Sequence, residues 1–262
     1  MGLDYLTICR KDLEELFRNR YILSSMASFP LIFSVAIPLI CLTTVPQELS
    51  RADVAMLGGL VANFDSLSPR QAIIAFLVQS NLPFYLIMPG IMPTMIAAYS
   101  IAGEKKAGTL EPLLATPARS FDILLGKTLA AVVPAVLVTW ASFLIYATLV
   151  NFLTGSLFSA PLLPNAEWLI ALFVTAPLIA VLAVYLAVLV SARVTDVRAA
   201  QQVSALIIVP ILGAFVLQLF GIVTITAGLL AYVSGALLVV DFVLIRLGTV
   251  AFQREEILTK WH

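Results

Sequence analysis

Between Arg198 and Asp241 the sequence carries no charged side chain, a run longer than one membrane crossing requires. A helix crosses the hydrocarbon core with about 20 mainly apolar residues, so this run is expected to hold two spans. Gly221, Thr224, Thr226 and Gly228 supply the turn that divides it, giving spans near 203–220 and 229–247. Four more apolar stretches precede it, at 24–45, 81–103, 128–152 and 168–191, and the second has helical character reaching back toward Pro69. Composition agrees. The chain is 61% hydrophobic and 11% charged, against roughly 25% charged residues in a soluble domain, so it could not cover a globule with polar surface. The expected fold class is all-α: a polytopic membrane protein with six transmembrane helices.

Six spans place both termini on one side, and the distribution of basic residues says which. One set of connecting segments holds Arg10, Lys11, Arg18, Arg20, Lys105, Lys106, Arg119, Lys127, Arg193, Arg198, Arg246, Arg254 and Lys260. The opposite set holds Arg51 and Arg70 beside Glu48, Asp53, Asp65 and Glu167. Both termini are therefore expected in the cytoplasm, and the chain in the plasma (inner) membrane. Lys+Arg and Asp+Glu balance at 15 each, which leaves no footprint for nucleic acid. Asp4, Asp12, Glu14 and Glu15 interrupt any signal-peptide core. The two cysteines, Cys9 and Cys41, make no disulfide framework.

Leu3, Leu6, Cys9, Leu13, Leu16 and Phe17 recur at helical spacing, with Asp4, Arg10, Lys11, Glu14, Glu15 and Arg18 on the other face. Residues 1–22 are thus expected to form an amphipathic helix lying in the inner interface. It is either a plain anchor for the first span or an elbow that also touches a cytoplasmic partner. The remainder, 23–262, forms the six-helix domain. Segment 46–82 on the outer side is too long for a turn and holds no span, and short packed helices are expected there. Prolines punctuate the spans, and Pro89, Gly90 and Pro93 are the expected place for a functional bend. Asp241 is a possible intramembrane polar site. Its nearness to Arg246 and the inner interface favours a structural role over a substrate or ion site.

The densest charge lies in loop 103–127, "GEKKAGTLEPLLATPARSFDILLGK", between the second and third spans. Thr109 is a good helix N-cap, Glu111 suits the first turn, Pro112 is tolerated there, and Pro117 ends the element at Thr116. Leu110, Leu113 and Leu114 make one apolar face. A helix of about seven residues is too short to stand alone in water, so it needs a surface to pack on. Gly126-Lys127-Thr128 mimics the tail of a phosphate-binding loop, but Phe121 stands where that motif needs its first glycine. No catalytic or metal-binding constellation is present in the sequence.

This loop resembles that of the ATP-binding-cassette type-two permeases, the membrane subunits of ABC exporters. The resemblance rests on Glu104-Lys105-Lys106, Gly108-Thr109-Leu110-Glu111, Leu113-Leu114, Pro117 and Gly126-Lys127. Lys106 stands where the family commonly has an acid or amide, and Pro112 where it has a polar residue. The resemblance implies that Glu104, Gly108, Thr109, Leu110, Glu111, Leu113, Leu114 and Pro117 form a coupling helix docked on a cytoplasmic ABC ATPase subunit. It also implies a second permease chain, most simply a homodimer, with membrane lipids around it. ATP and Mg would belong to the partner subunit, this chain holding no cofactor and no enzymatic activity. The alternatives are a stand-alone secondary transporter or channel, and a non-transporting ABC-associated subunit. The exported substrate is not legible.

Overall fold

The computed structural model describes residues 5–61, 63–98, 100, 103–104, 108, 119–191, 201–202 and 205–251. Among them the regular structure is helical, without strands. Helix α1, Tyr5–Arg18, turns Ile8, Asp12 and Leu16 inward, a stripe at i, i+4, i+8 on one helix face. Leu6 and Phe17, assigned to the same apolar face by sequence, are instead exposed.

The first apolar stretch begins as α2, Arg20–Leu31, widens into a π-helical turn at Ile32–Ala36, and finishes as α3, Ile37–Thr43. The widened turn has a cause in the sequence. Pro38 follows it directly, and a proline ring collides with the carbonyl one turn back while offering no N–H. Spacing out that turn relieves the collision, and the Ile37 N–H closes the wider ring on the Ile32 carbonyl. The same device recurs further along, where α7, Ala166–Ile170, leads through a π-turn at Ala171–Thr175 into α8, Ala176–Ser191. Pro177 again follows, and the Ala176 N–H again reaches the Ala171 carbonyl.

Segment 46–82 folds as two 3₁₀ turns, Ala55–Leu57 and Phe64–Ser66, and then α4, Pro69–Ser80. Ser68 and Gln71 cap α4 reciprocally, satisfying two backbone donors at its start. Helix α5, Leu82–Ala98, continues after a break at Asn81. Pro83 opens α5 and accounts for the break, whereas Pro89, Gly90 and Pro93 all lie within one assigned helix. Helix α6, Ser120–Thr154, is 35 residues long. Helix α9, Ile208–Leu219, ends at a turn where Gly221 takes φ 70°, a conformation that glycine adopts without steric cost. Helix α10, Ala227–Ala251, completes the order.

Among the described residues, five helices are long and apolar enough to cross a membrane: Met26–Thr43, Pro69–Ala97, Ser120–Thr154, Ala166–Ser191 and Ala227–Thr249. The sixth expected span appears as the shorter apolar helix Ala205–Leu219. At 1.5 Å per residue it covers roughly 22 Å of a core about 30 Å thick. Gly221 fixes its end, and residues 203 and 204 before it lie outside the described residues.

The centre of the bundle is α5 packed between α6 and α8, with α10 on α8, α9 on α5, and the first span on α6. Trp168, fully buried, stacks on Phe143 and Tyr146 at centroid distances of 5.1 and 5.3 Å and meets the edge of Tyr85 at 5.1 Å. The hydroxyls of the two tyrosines and the indole N–H of Trp140 tie helices together, whereas the buried Trp168 Nε1 has no hydrogen-bond partner. Tyr85 donates to Ser34 Oγ at 3.1 Å, Tyr146 to the Val78 carbonyl at 3.1 Å, and Trp140 to the Leu172 carbonyl at 2.9 Å.

Candidate functional site

Where α1 crosses the root of the charged loop, four ionisable side chains and one hydroxyl form a buried network. Lys127 lies in the second turn of α6, and its side chain is 1% exposed. An ammonium carries three donors, and three acceptors surround this one: Ser100 Oγ at 2.6 Å, Glu104 Oε2 at 2.8 Å and Asp12 Oδ2 at 3.4 Å. Ser100 passes the contact on, donating to Asp12 Oδ2 at 2.7 Å. The other oxygen of Glu104 accepts from Lys11 Nζ at 2.7 Å.

Among the described residues, two lysines therefore face the two buried carboxylates, and Glu15 stands 3.6 Å from Lys11 at the exposed edge. That balance matters, because an unpaired buried charge costs several kcal/mol. Lys11 is the water-facing member, its side chain 49% exposed. Burial works to lower its pKa, but the hydrogen bond and charge of Glu104, helped by Glu15 and Asp12, outweigh it and hold the ammonium above its ordinary value. Beside the cluster the Cys9 thiol is pushed up, first by burial and then by the negative charge of Asp12.

Gly126 explains how α1 comes so close. A Cβ built there would lie 2.7 Å from the Tyr5 carbonyl oxygen and 2.9 Å from the Ile8 Cβ. Glycine inside a helix costs about 1 kcal/mol relative to alanine, and here it admits the backbone of another helix. Gly126 and Lys127 thus serve helix packing and charge pairing. Both sit inside α6, which is incompatible with the phosphate-binding loop that Gly126-Lys127-Thr128 imitates.

Of the residues singled out by sequence, the structure places Glu104 in this network and Gly108 in a left-handed turn with φ 69°. Thr109, Leu110, Glu111, Leu113, Leu114 and Pro117 lie outside the described residues. Pro89, Gly90 and Pro93 are all buried in the bundle, and a Cβ on Gly90 would touch Ile207 and Ile179 at 3.4 and 3.5 Å. Asp241 is 4% exposed, and neither carboxylate oxygen has a hydrogen-bond partner. Arg246 instead sits over the Phe242 ring, 5.2 Å from its centroid.

Asp12, Ser100 and Lys127 escaped the sequence reading as a group. The available signal was Asp12 itself, a carboxylate set between Ile8 and Leu16 on an otherwise apolar stripe.

The model of a protein family described as "ABC-2 family transporter protein" matches residues 6–234. The chain belongs to this family. The match begins inside α1 and runs into α10, so it takes in the buried network and the whole loop between α5 and α6. A search of curated proteins found no match. As an ABC-2 permease the chain is of the generally non-catalytic membrane-subunit kind, which associates with an ABC ATPase subunit. Its apolar helices make it a multi-pass membrane protein.

Proposed function

We propose that this ABC-2 permease is the membrane half of an exporter driven by ATP hydrolysis in a separate cytoplasmic ATPase subunit. In this reading the termini are cytoplasmic, the chain sits in the plasma membrane, and α9 completes a sixth crossing. Two copies pair around a central pathway. Segment 110–116 is the coupling helix, and Leu110, Leu113 and Leu114 offer the apolar face that the ATPase grips.

The observation that carries the proposal is the buried network of Asp12, Ser100, Glu104 and Lys127. It welds α1 to both roots of the charged loop, so a push on the loop reaches α5, α6 and the interfacial helix together. A joint that ties the loop to three helices suits a subunit moved from outside the membrane. A channel or secondary transporter acting alone has no need of it and would use charges at mid-membrane. Asp241 and the segment Pro89–Pro93 remain secondary parts of the proposal, the first as a packing residue and the second as a hinge.

The test is a crosslink from Leu113→Cys in cells expressing the full chain. The expected product joins the permease to a subunit bearing Walker motifs, and Glu111→Lys or Leu113→Asp abolishes permease-stimulated ATP hydrolysis while the chain still inserts. A crosslink only to lipid, or labelling of the cysteine from outside the cell, would refute it.

A further inference from the structure

Along the seam between α8 and α10, Ser234, Asp241 and Gly248 recur every seven residues on the buried side of α10. Seven residues make two helical turns, so the three stand in line about 10 Å apart. Both ends of the row are closed against the neighbouring crossing. Ser234 and Thr175 share a hydrogen bond at 2.8 Å, and a Cβ on Gly248 would lie 2.8 Å from the Tyr185 ring. Between those two contacts, from Ala176 to Val184, every side chain of α8 is apolar. Asp241 occupies the middle of the row, 4% exposed and with neither oxygen hydrogen-bonded.

The charged side chains on the elements packed against α10 leave this carboxyl without a counter-charge. Lys127 on α6 is bound to Asp12, Ser100 and Glu104, and Asp122 stands in the opening turn of the same helix. Glu167, at the start of α7, lines a cleft with Phe158 and Asn165. Arg246 on α10 itself lies over the Phe242 ring. Tyr185 on α8 feels the charge of Asp241, but a phenol supplies no cation. A lone ion taken out of water is so costly that the group neutralises instead. A metal ion would need about six oxygen ligands, and no described side chain bonds to this carboxyl. A proton needs none.

We propose that Asp241 is a proton-binding site, filled while the seam between α8 and α10 is closed. When the helices part and water enters, the acid O–H bond breaks, the proton passes to water and the carboxylate remains. Closure takes a proton back. Acid therefore favours the closed seam by mass action. The site rests on the packing of this chain and not on the ATPase partner proposed above.

The test is infrared spectroscopy of the full chain alone in liposomes, its aspartates isotopically labelled at the side-chain carboxyl. The carbonyl stretch of a protonated carboxyl lies apart from the bands of carboxylates and amides. A labelled band of this kind is expected at neutral pH, lost in Asp241→Asn and kept when the exposed Asp65 is changed to asparagine. Should Asp241→Asn fail to insert, Asp241→Glu decides the assignment, because it loses the labelled band while an acid stays in place. Gly248→Ala, which would press on the Tyr185 ring, should bring loss of the band to lower pH. A disulfide between Thr175→Cys and Ser234→Cys should move that loss to higher pH. In detergent, Asp241→Asn should melt with the parent in acid and above it in alkali, since the amide keeps the shape of the acid and never ionises. No protonated-aspartate band at neutral pH, or a band that survives Asp241→Asn and Asp241→Glu, would overturn the site. A band whose pH dependence ignores both Gly248→Ala and the disulfide would overturn its tie to the seam.

Discussion

Replacing Lys127 by methionine removes the one cation that both buried carboxylates share while keeping most of the side-chain volume. Glu104 retains Lys11 at 2.7 Å, but Asp12, whose side chain is 3% exposed, is left with only the Ser100 hydroxyl. Breaking a buried pair by removing one partner typically costs about 3–5 kcal/mol, and the exposures here place Lys127→Met within that range. Lys11→Met offers the contrast, since a half-exposed pair is worth about 1 kcal/mol or less. The decisive variant is the double one. Lys127→Met with Asp12→Asn leaves no stranded charge, so it should be more stable than the summed single losses by about 2 kcal/mol or more, because contacting residues do not act additively. Equilibrium unfolding of the purified chain in one detergent, with tryptophan fluorescence as the signal, measures the parent, the single variants Lys127→Met, Asp12→Asn and Lys11→Met, and the double variant. A Lys127→Met protein within about 1 kcal/mol of the parent, or a double variant showing plain additivity, would refute the reasoning from burial.

Gly126→Ala should disturb the same joint by contact alone. Its Cβ would stand 2.7 Å from a backbone oxygen of α1, and overpacking of this kind costs about 1–3 kcal/mol; spin labels on α1 and α6 should report a wider separation, and an unchanged distance would show that α1 yields freely. The Cys9 thiol, held above its ordinary value by burial and then by Asp12, should be alkylated with a rate–pH midpoint above that of an ordinary thiol. Less thiolate is present at any given pH below that midpoint, so reaction at neutral pH is slow. Asp12→Asn should lower the midpoint only part of the way, because burial is the larger cause, and a midpoint at or below the ordinary thiol value would contradict the arrangement of α1.

Five of the six expected spans were legible in the sequence, because hydropathy over about 20 residues is a strong, local signal, while the remaining stretch appears as a shorter apolar helix. The turn after α9 was legible too, since Gly221 takes the left-handed backbone its residue type permits. What the sequence hid was which face of α1 meets the protein. Leu6 and Phe17 belong to the apolar side by periodicity, but Gly126 lets Ile8, Asp12 and Leu16 approach α6 instead. Asp12 meets Lys127 across 115 positions, and no pattern within a helix reports a pairing of that separation. The prolines were legible as perturbations but not as a particular geometry. Pro38 and Pro177 produce π-turns, whereas Pro89 and Pro93 are absorbed in an unbroken α5. Glu104 was singled out for a partner protein, and its described contacts are with Lys11 and Lys127 of its own chain.

The π-turns at Ile32–Ala36 and Ala171–Thr175 have a shared design. Each holds one residue more than an α-helical turn would, and each offers an inward hydroxyl that meets one other hydroxyl: Ser34 with Tyr85 at 3.1 Å, and Thr175 with Ser234 at 2.8 Å. Surplus residues can migrate along a helix, and each step rotates the intervening segment by about 100° about its own axis. A shift of either turn along its helix would therefore have to part a hydrogen bond between two hydroxyls, and in the second also the one from Trp140 to the Leu172 carbonyl.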